Sequence, residues 1–152
     1  MKKLFLTLLL GICLLMANAQ YKHSLGLAIG RPSGISYKAF VSRFNALDFT
    51  VGGSSNYYIV AGTFQFHAPL DHNMTWYWGP GVHAGSWNEH ENAEGIFMGV
   101  DGVIGMELVP DMPFAFSVDL RPGVNLTGNE WDNEKHWFFM QSQLSVRYIF
   151  NH

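Results

Sequence analysis

The sequence predicts an all-β chain, an eight-stranded antiparallel up-and-down barrel, on three observations. From Tyr21 to Phe150 it reads as eight stretches in which apolar residues alternate with small or polar ones. Turn chemistry rich in Gly, Pro, Asn and Asp separates one stretch from the next. No amphipathic helical period runs between them. Successive side chains of a strand point to opposite faces, so every stretch has two faces in two different surroundings.

Ahead of these stretches stands "MKKLFLTLLLGICLLMANAQ". It has a basic start in Lys2 and Lys3, an apolar run from Leu4 to Met16, and the small-x-small site Ala17-Asn18-Ala19. That is the three-part pattern of a cleaved secretory signal, and the run is too short to cross a bilayer as a helix. The expected organisation is a signal peptide at 1–19 and a single barrel domain at 20–152. Cys13 is the one cysteine and lies in the signal, so the exported domain is expected to hold no disulfide. Removing Lys2 and Lys3 from the 9 basic residues leaves 7 against 12 acidic, a net of −5. Nucleic acid is an improbable partner on that balance, because phosphate binding needs clustered cations.

The first stretch sets Leu25, Leu27 and Ile29 against Ser24, Gly26, Ala28 and Gly30, and "GRPSG" turns the chain. The second sets Ile35, Tyr37, Ala39 and Val41 against Ser36, Lys38 and Phe40. After a turn at Arg43 to Asn45, the third sets Leu47, Phe49 and Val51 against Ala46, Asp48 and Thr50. "GGSSN" leads to the fourth, with Tyr58, Val60, Phe64 and Phe66 opposing Ile59, Ala61, Thr63 and Gln65. "APLDHN" leads to the fifth, where Met74, Trp76, Trp78, Val82 and Ala84 oppose Thr75, Tyr77, Gly79, Gly81 and His83. The sixth sets Ile96, Met98, Val100, Ile104, Met106 and Leu108 against Gly99, Asp101, Val103, Gly105 and Glu107. "VPDMP" precedes the seventh, with Phe114, Phe116, Val118, Leu120 and Val124 against Ala115, Ser117, Asp119, Arg121 and Asn125. The eighth, from about His136 to Phe150, sets Phe138, Met140, Leu144, Val146, Tyr148 and Phe150 against Gln141, Gln143, Ser145 and Arg147.

Charge decides which face is inside. A soluble surface carries roughly 25–35% charged residues, whereas this chain has 14%, much of it between the stretches. The polar face interleaves Lys38, Asp48, Asp101, Glu107, Asp119, Arg121 and Arg147 with glycine and alanine. An eight-stranded lumen is only wide enough for side chains to fill, so long paired charges alternating with small residues suit it. The expectation is therefore a transmembrane barrel, apolar outside, with those seven residues as a charge network in the lumen. Pairing the sixth and seventh stretches about "VPDMP" puts Asp101 near Arg121. Ala115 then falls between Arg147 and Glu107, letting the two charges meet across it. With the N-terminus periplasmic, the turns near residues 43, 70 and 111 are short, and the long loops at 86–94 and 126–135 are external, the usual asymmetry. Aromatics gather in two belts: Trp76, Trp78, Phe114, Phe116, Tyr148 and Phe150 at one end, and Tyr57, Tyr58, Trp87, Trp131 and Trp137 at the other.

The ending "QLSVRYIF" resembles the C-terminal recognition strand of outer-membrane barrels, with Tyr148 and Phe150 as the assembly signal; Asn151 and His152 follow it. "GLAIGRPSGISYKAF" and "MGVDGVIGMELVPDMPFAFSVDLRPGVNL" resemble small eight-stranded outer-membrane barrels of the OmpA and OmpX kind, of a type common in Bacteroidota. The resemblance implies the outer membrane of a Gram-negative bacterium and dealings with the barrel-assembly machinery, outer-membrane lipid and lipopolysaccharide. It implies no particular activity.

Candidate chemistry is sparse. Some barrels of this kind modify lipid A, and "HAGSWNEH" supplies His83, Ser86 and Glu89 as base, nucleophile and orienting acid for a deacylase or acyltransferase. The spacing does not match the expected deacylase pattern, so a lumen histidine and a turn serine are the plainer reading. Glu89, His90, Glu91, Glu94, Glu130, Asp132, Glu134 and His136 make the outer loops acidic, without the fixed spacing of a metal site. The expectation is a monomeric non-enzymatic barrel without cofactor or metal, serving the envelope structurally or through its loops. The alternatives are a lipid A-modifying enzyme and a soluble exported barrel holding an apolar ligand.

Overall fold

The computed structural model describes residues 22–55, 57–89, 93–127 and 138–150. Eight strands follow in chain order: β1 His23–Gly30, β2 Gly34–Phe40, β3 Asn45–Ser54, β4 Tyr57–Pro69, β5 Met74–Glu89, β6 Ala93–Leu108, β7 Phe114–Thr127 and β8 Phe138–Ile149. Each pairs antiparallel with the next, and β8 returns to β1, so the sheet closes with no free edge over its shared height. Residues 1–21, which include the expected signal, and 128–137 lie outside the described residues, as do His90, Glu91 and Asn92.

Alternation sets the faces. Leu27, Ile29, Val82, Ile96, Met140 and Leu144 point away from the barrel and are each more than half exposed. Lys38, Gln65, Thr50, Ser36 and Arg147 on the other face are wholly buried. Space inside is made by glycine. On β5 to β8 the large inward rings sit opposite inward glycines: Tyr77 against Gly105, His83 against Gly99, Phe97 against Gly85, and Phe139 against Gly123. A β-carbon added at Gly105 would lie 2.6 Å from Tyr77 Cζ. At the β1–β2 turn Gly30 has φ of 136°, a conformation that costs glycine nothing and an L side chain much.

Closure fixes the tilt. The paired residues from Leu25 run through Tyr37, Phe49, Gly62, Val82, Val100 and Val124 to Phe138. The β8 partner of Leu25 is Tyr148, ten residues beyond Phe138. A shear of that size in eight strands corresponds to a strand tilt of about 40°.

The structure corrects two expectations. Residues 86–89, 93 and 94 are not loop, because β5 and β6 continue as one hairpin with Ser86 paired to Ile96 and Glu89 to Ala93. Asp101 is opposite Gly123 and Glu107 opposite Ser117, so β6 and β7 pair two residues away from the expected register. A slip of two leaves every side chain on its own face, so the alternation by itself cannot distinguish the two registers. The contact between β7 and β8 is as expected, with Ala115 opposite Arg147.

Candidate functional site: a filled polar interior

Three layers occupy the lumen. At the end carrying the termini, Phe40, Ala46, Ala115 and Ile149 form a small apolar plug with Val109 packed against it. Phe40 meets the His67 ring at 4.8 Å between centroids, and His67 stacks on Tyr77 at 5.0 Å. His67 is further held by Gln65 Oε1 at 3.3 Å.

Above the plug lies a chain of alternating charge. Lys38 Nζ donates to Glu107 Oε2 at 2.8 Å and sits 4.4 Å from the centre of the Tyr77 ring. Arg147 lies between the two acids, with Nη2 2.7 Å from Asp48 Oδ2 and Nη1 3.5 Å from Glu107 Oε2. Its Nε donates to Ser36 Oγ and its Nη1 to Ser117 Oγ, both at 2.8 Å. Thr50 and Gln65 donate further bonds to Asp48. Beside this chain, Asp119 accepts from Arg121 Nε and from the Tyr77 hydroxyl, each at 2.8 Å. Three cations and three carboxylates thus neutralise one another, which a buried set requires, since an unpaired charge taken out of water costs several kcal/mol or more.

The third layer is toward the loops. His83 places Nδ1 2.7 Å from Asp101 Oδ1 and Nε2 2.8 Å from Asn125 Oδ1. Phe139 meets the His83 ring edge-on at 5.2 Å and Phe97 lies at 6.0 Å. Between the second and third layers the β1–β2 turn folds inward, burying Pro32, whose carbonyl accepts from Gln143 Nε2 at 2.9 Å.

All seven charged residues singled out from the sequence point into the lumen, but not always toward the expected partner. Asp101 is bound to His83 rather than Arg121, and Arg121 to Asp119, because the two-residue offset carries Arg121 past Asp101. Glu107 and Arg147 do meet, beside Ser117 rather than across Ala115. His67, Gln65, Tyr77 and the network serines were not singled out; their inward parity was the available signal.

The catalytic alternative does not assemble. His83 is inward, while Ser86 is odd-numbered steps away on the outward face, paired with Tyr58 and Ile96, which are both strongly exposed. The barrel wall therefore separates base from nucleophile, and the side chain of Glu89 lies outside the described residues. Among the described residues no three His, Cys, Asp or Glu side chains gather as a metal site would need. Glu91, Glu130, Asp132, Glu134, His90 and His136 lie outside the described residues, as do Trp131, Trp137 and the side chains of Trp87 and Glu94. Tyr148 and Phe150 are outward at the end carrying the termini, with ring centroids 5.4 Å apart, and Phe114 packs on Tyr148 at 5.6 Å.

No protein-family model matches the chain, and no curated protein does. Among solved structures it is similar to the N-terminal β-barrel domain of Pseudomonas aeruginosa OprF, with a TM-score of 0.63 and 13% sequence identity over 86% of this chain and 100% of that one. At that identity the likeness is one of fold: this chain is a closed, antiparallel, eight-stranded all-β barrel.

Proposed function

We propose that the chain is an integral outer-membrane barrel of a Gram-negative bacterium, OmpA-like, monomeric, with a filled rather than conducting lumen and a structural or surface-presenting role. One observation carries this reading: the barrel is apolar on its exposed outer face and charged within, the reverse of what water selects. Hydrocarbon outside is the surrounding in which Leu27, Val82, Ile96 and Leu144 are stable where they stand. The likeness to the OprF barrel domain supports the same surroundings.

In this reading residues 1–19 are the export signal, Tyr148 and Phe150 the strand end read by the barrel-assembly machinery, and the loops face lipopolysaccharide. The separation of His83 from Ser86 supports a non-enzymatic role. The Bacteroidota-type resemblance of the quoted motifs belongs to the same proposal. Heat modifiability with cell fractionation tests it. The expected result is recovery in the outer membrane and a boiling-dependent shift in gel mobility; recovery as a soluble protein without detergent would overturn it.

A further inference from the structure

The apolar wall has two very different heights. Outward apolar residues run from Ile96 to Leu108 on β6, from Phe114 to Leu126 on β7 and, with exposed Ser142 as a polar break, from Phe138 along β8 to Phe150 just past its end, a span of twelve residue steps each. At 3.3 Å per step and a tilt near 40°, twelve steps give roughly 30 Å of height, enough for an outer-membrane apolar band of about 25 Å. On β1 the run is Leu25 to Ile29 and on β3 it is Leu47 to Val51, a span of four residue steps each. Four steps give only about 10 Å.

The two walls start level and end apart. Leu25 is opposite Tyr148 at the end carrying the termini, and Ile29 is opposite Leu144. Beyond Ile29, β1 stops at Gly30 and the exposed Arg31 and Ser33 form the turn, while β8 continues to Met140 and Phe138. Polar turn chemistry therefore sits at a height where the other wall is still apolar.

Cations mark the same wall. Among the described residues the exposed lysines and arginines are Lys22, Arg31 and Arg43. Arg31 is in the turn between β1 and β2, Lys22 precedes β1, and Arg43 lies between β2 and β3, so all three sit at the two rims of the short wall. The exposed acids Asp71 and Asp111 lie in the turns after β4 and β6. Cations at both ends of a short apolar stripe match phosphate groups at both surfaces of a thin layer of lipid.

We propose that the barrel thins the bilayer locally along β1 to β3, drawing lipid phosphates down onto Arg31 from one side and up onto Lys22 and Arg43 from the other. The inference rests on the membrane reading above and adds an asymmetry to it. A flat bilayer fitted to β6 to β8 would bury Arg31 and the polar β1–β2 turn in hydrocarbon, and thinning removes that penalty at a modest cost in lipid deformation.

Site-directed spin labelling tests this. In the chain from residue 20 onward, which has no cysteine of its own, one label is placed at Ile29→Cys on the short wall and another at Leu120→Cys, which the tilt puts at about the same height on β7. Each variant is reconstituted in phosphatidylcholine vesicles with 18-carbon chains, and immersion depth is read from the relative accessibility to oxygen and to a water-soluble nickel chelate. The expected result is a label at Ile29 near the headgroups and one at Leu120 about 10 Å deeper, an interval that narrows in 14-carbon vesicles. Equal depths would overturn the proposal by showing a flat bilayer. Spin–spin broadening at Ile29 would overturn it differently, placing a second copy on the short wall. Failure of both variants to float with the vesicles would remove the membrane reading itself, and this inference with it.

Discussion

In the half of the lumen nearer the termini, Lys38 of β2 reaches Glu107 of β6 and Arg147 of β8 reaches Asp48 of β3. In the half nearer the loops, His83 of β5 bonds to Asp101 and Asn125, on the two strands that continue the same wall. The first set of bonds spans the barrel and ties its opposite sides together. The second holds one wall to itself. The difference follows the uneven strand lengths: β1 and β2, which face β5 and β6 across the lumen, end at the height of the inward-folded turn around Pro32, so above it His83 and Asp101 have no strand directly opposite to reach. Cross-section is held where all eight strands are present, and only the wall's own register is held above.

That contrast sets an order of expected effects. Arg147→Leu leaves Asp48 and Glu107 short of their shared cation in a buried site, and is expected to lower unfolding stability by about 3–5 kcal/mol. Urea titration of the barrel in detergent, followed by tryptophan fluorescence, measures it, and an effect no larger than that of His83→Phe would erase the distinction between the halves. Gly105→Val drives a side chain into the Tyr77 ring and the Asp119 β-carbon, 2.6 and 2.7 Å from an added β-carbon. The expected cost of such overpacking is about 1–3 kcal/mol by the same titration.

Lys38→Met combined with Glu107→Gln is expected to be milder than either change alone, since the pair is removed rather than broken; a double-mutant cycle gives the coupling, and strict additivity would deny that the 2.8 Å contact matters. Asp101→Asn removes a charged acceptor from one wall and is expected to cost about 1–2 kcal/mol. Ser86→Ala, on the outward face, is expected to stay within about 0.5 kcal/mol of the parent.

Much of this was legible because lumen and exterior select opposite side chains at every second residue. Lys38, Asp48, Glu107, Asp119, Arg121 and Arg147 could be placed inside from parity and from the scarcity of charge elsewhere. Their partners could not. Asp101 was expected beside Arg121 because a turn centred in "VPDMP" allows that pairing, and the actual register, offset by two, presents the same faces to the same surroundings. The hairpin of β5 and β6 also runs past Ser86, where the Asn, Glu and His content suggested loop, because pairing between two long strands outweighs local turn preference.

By itself the sequence determined strand number, the face each residue presents and the alternation of large inward side chains with glycine, since all of these follow from a period of two and from side-chain size. Only the closed structure decided which charges meet. Lys38 and Glu107 are 69 residues apart, and they come to one height because eight tilted strands close with a shear of ten. That shear belongs to the ring as a whole, and so does the unequal height of the two walls.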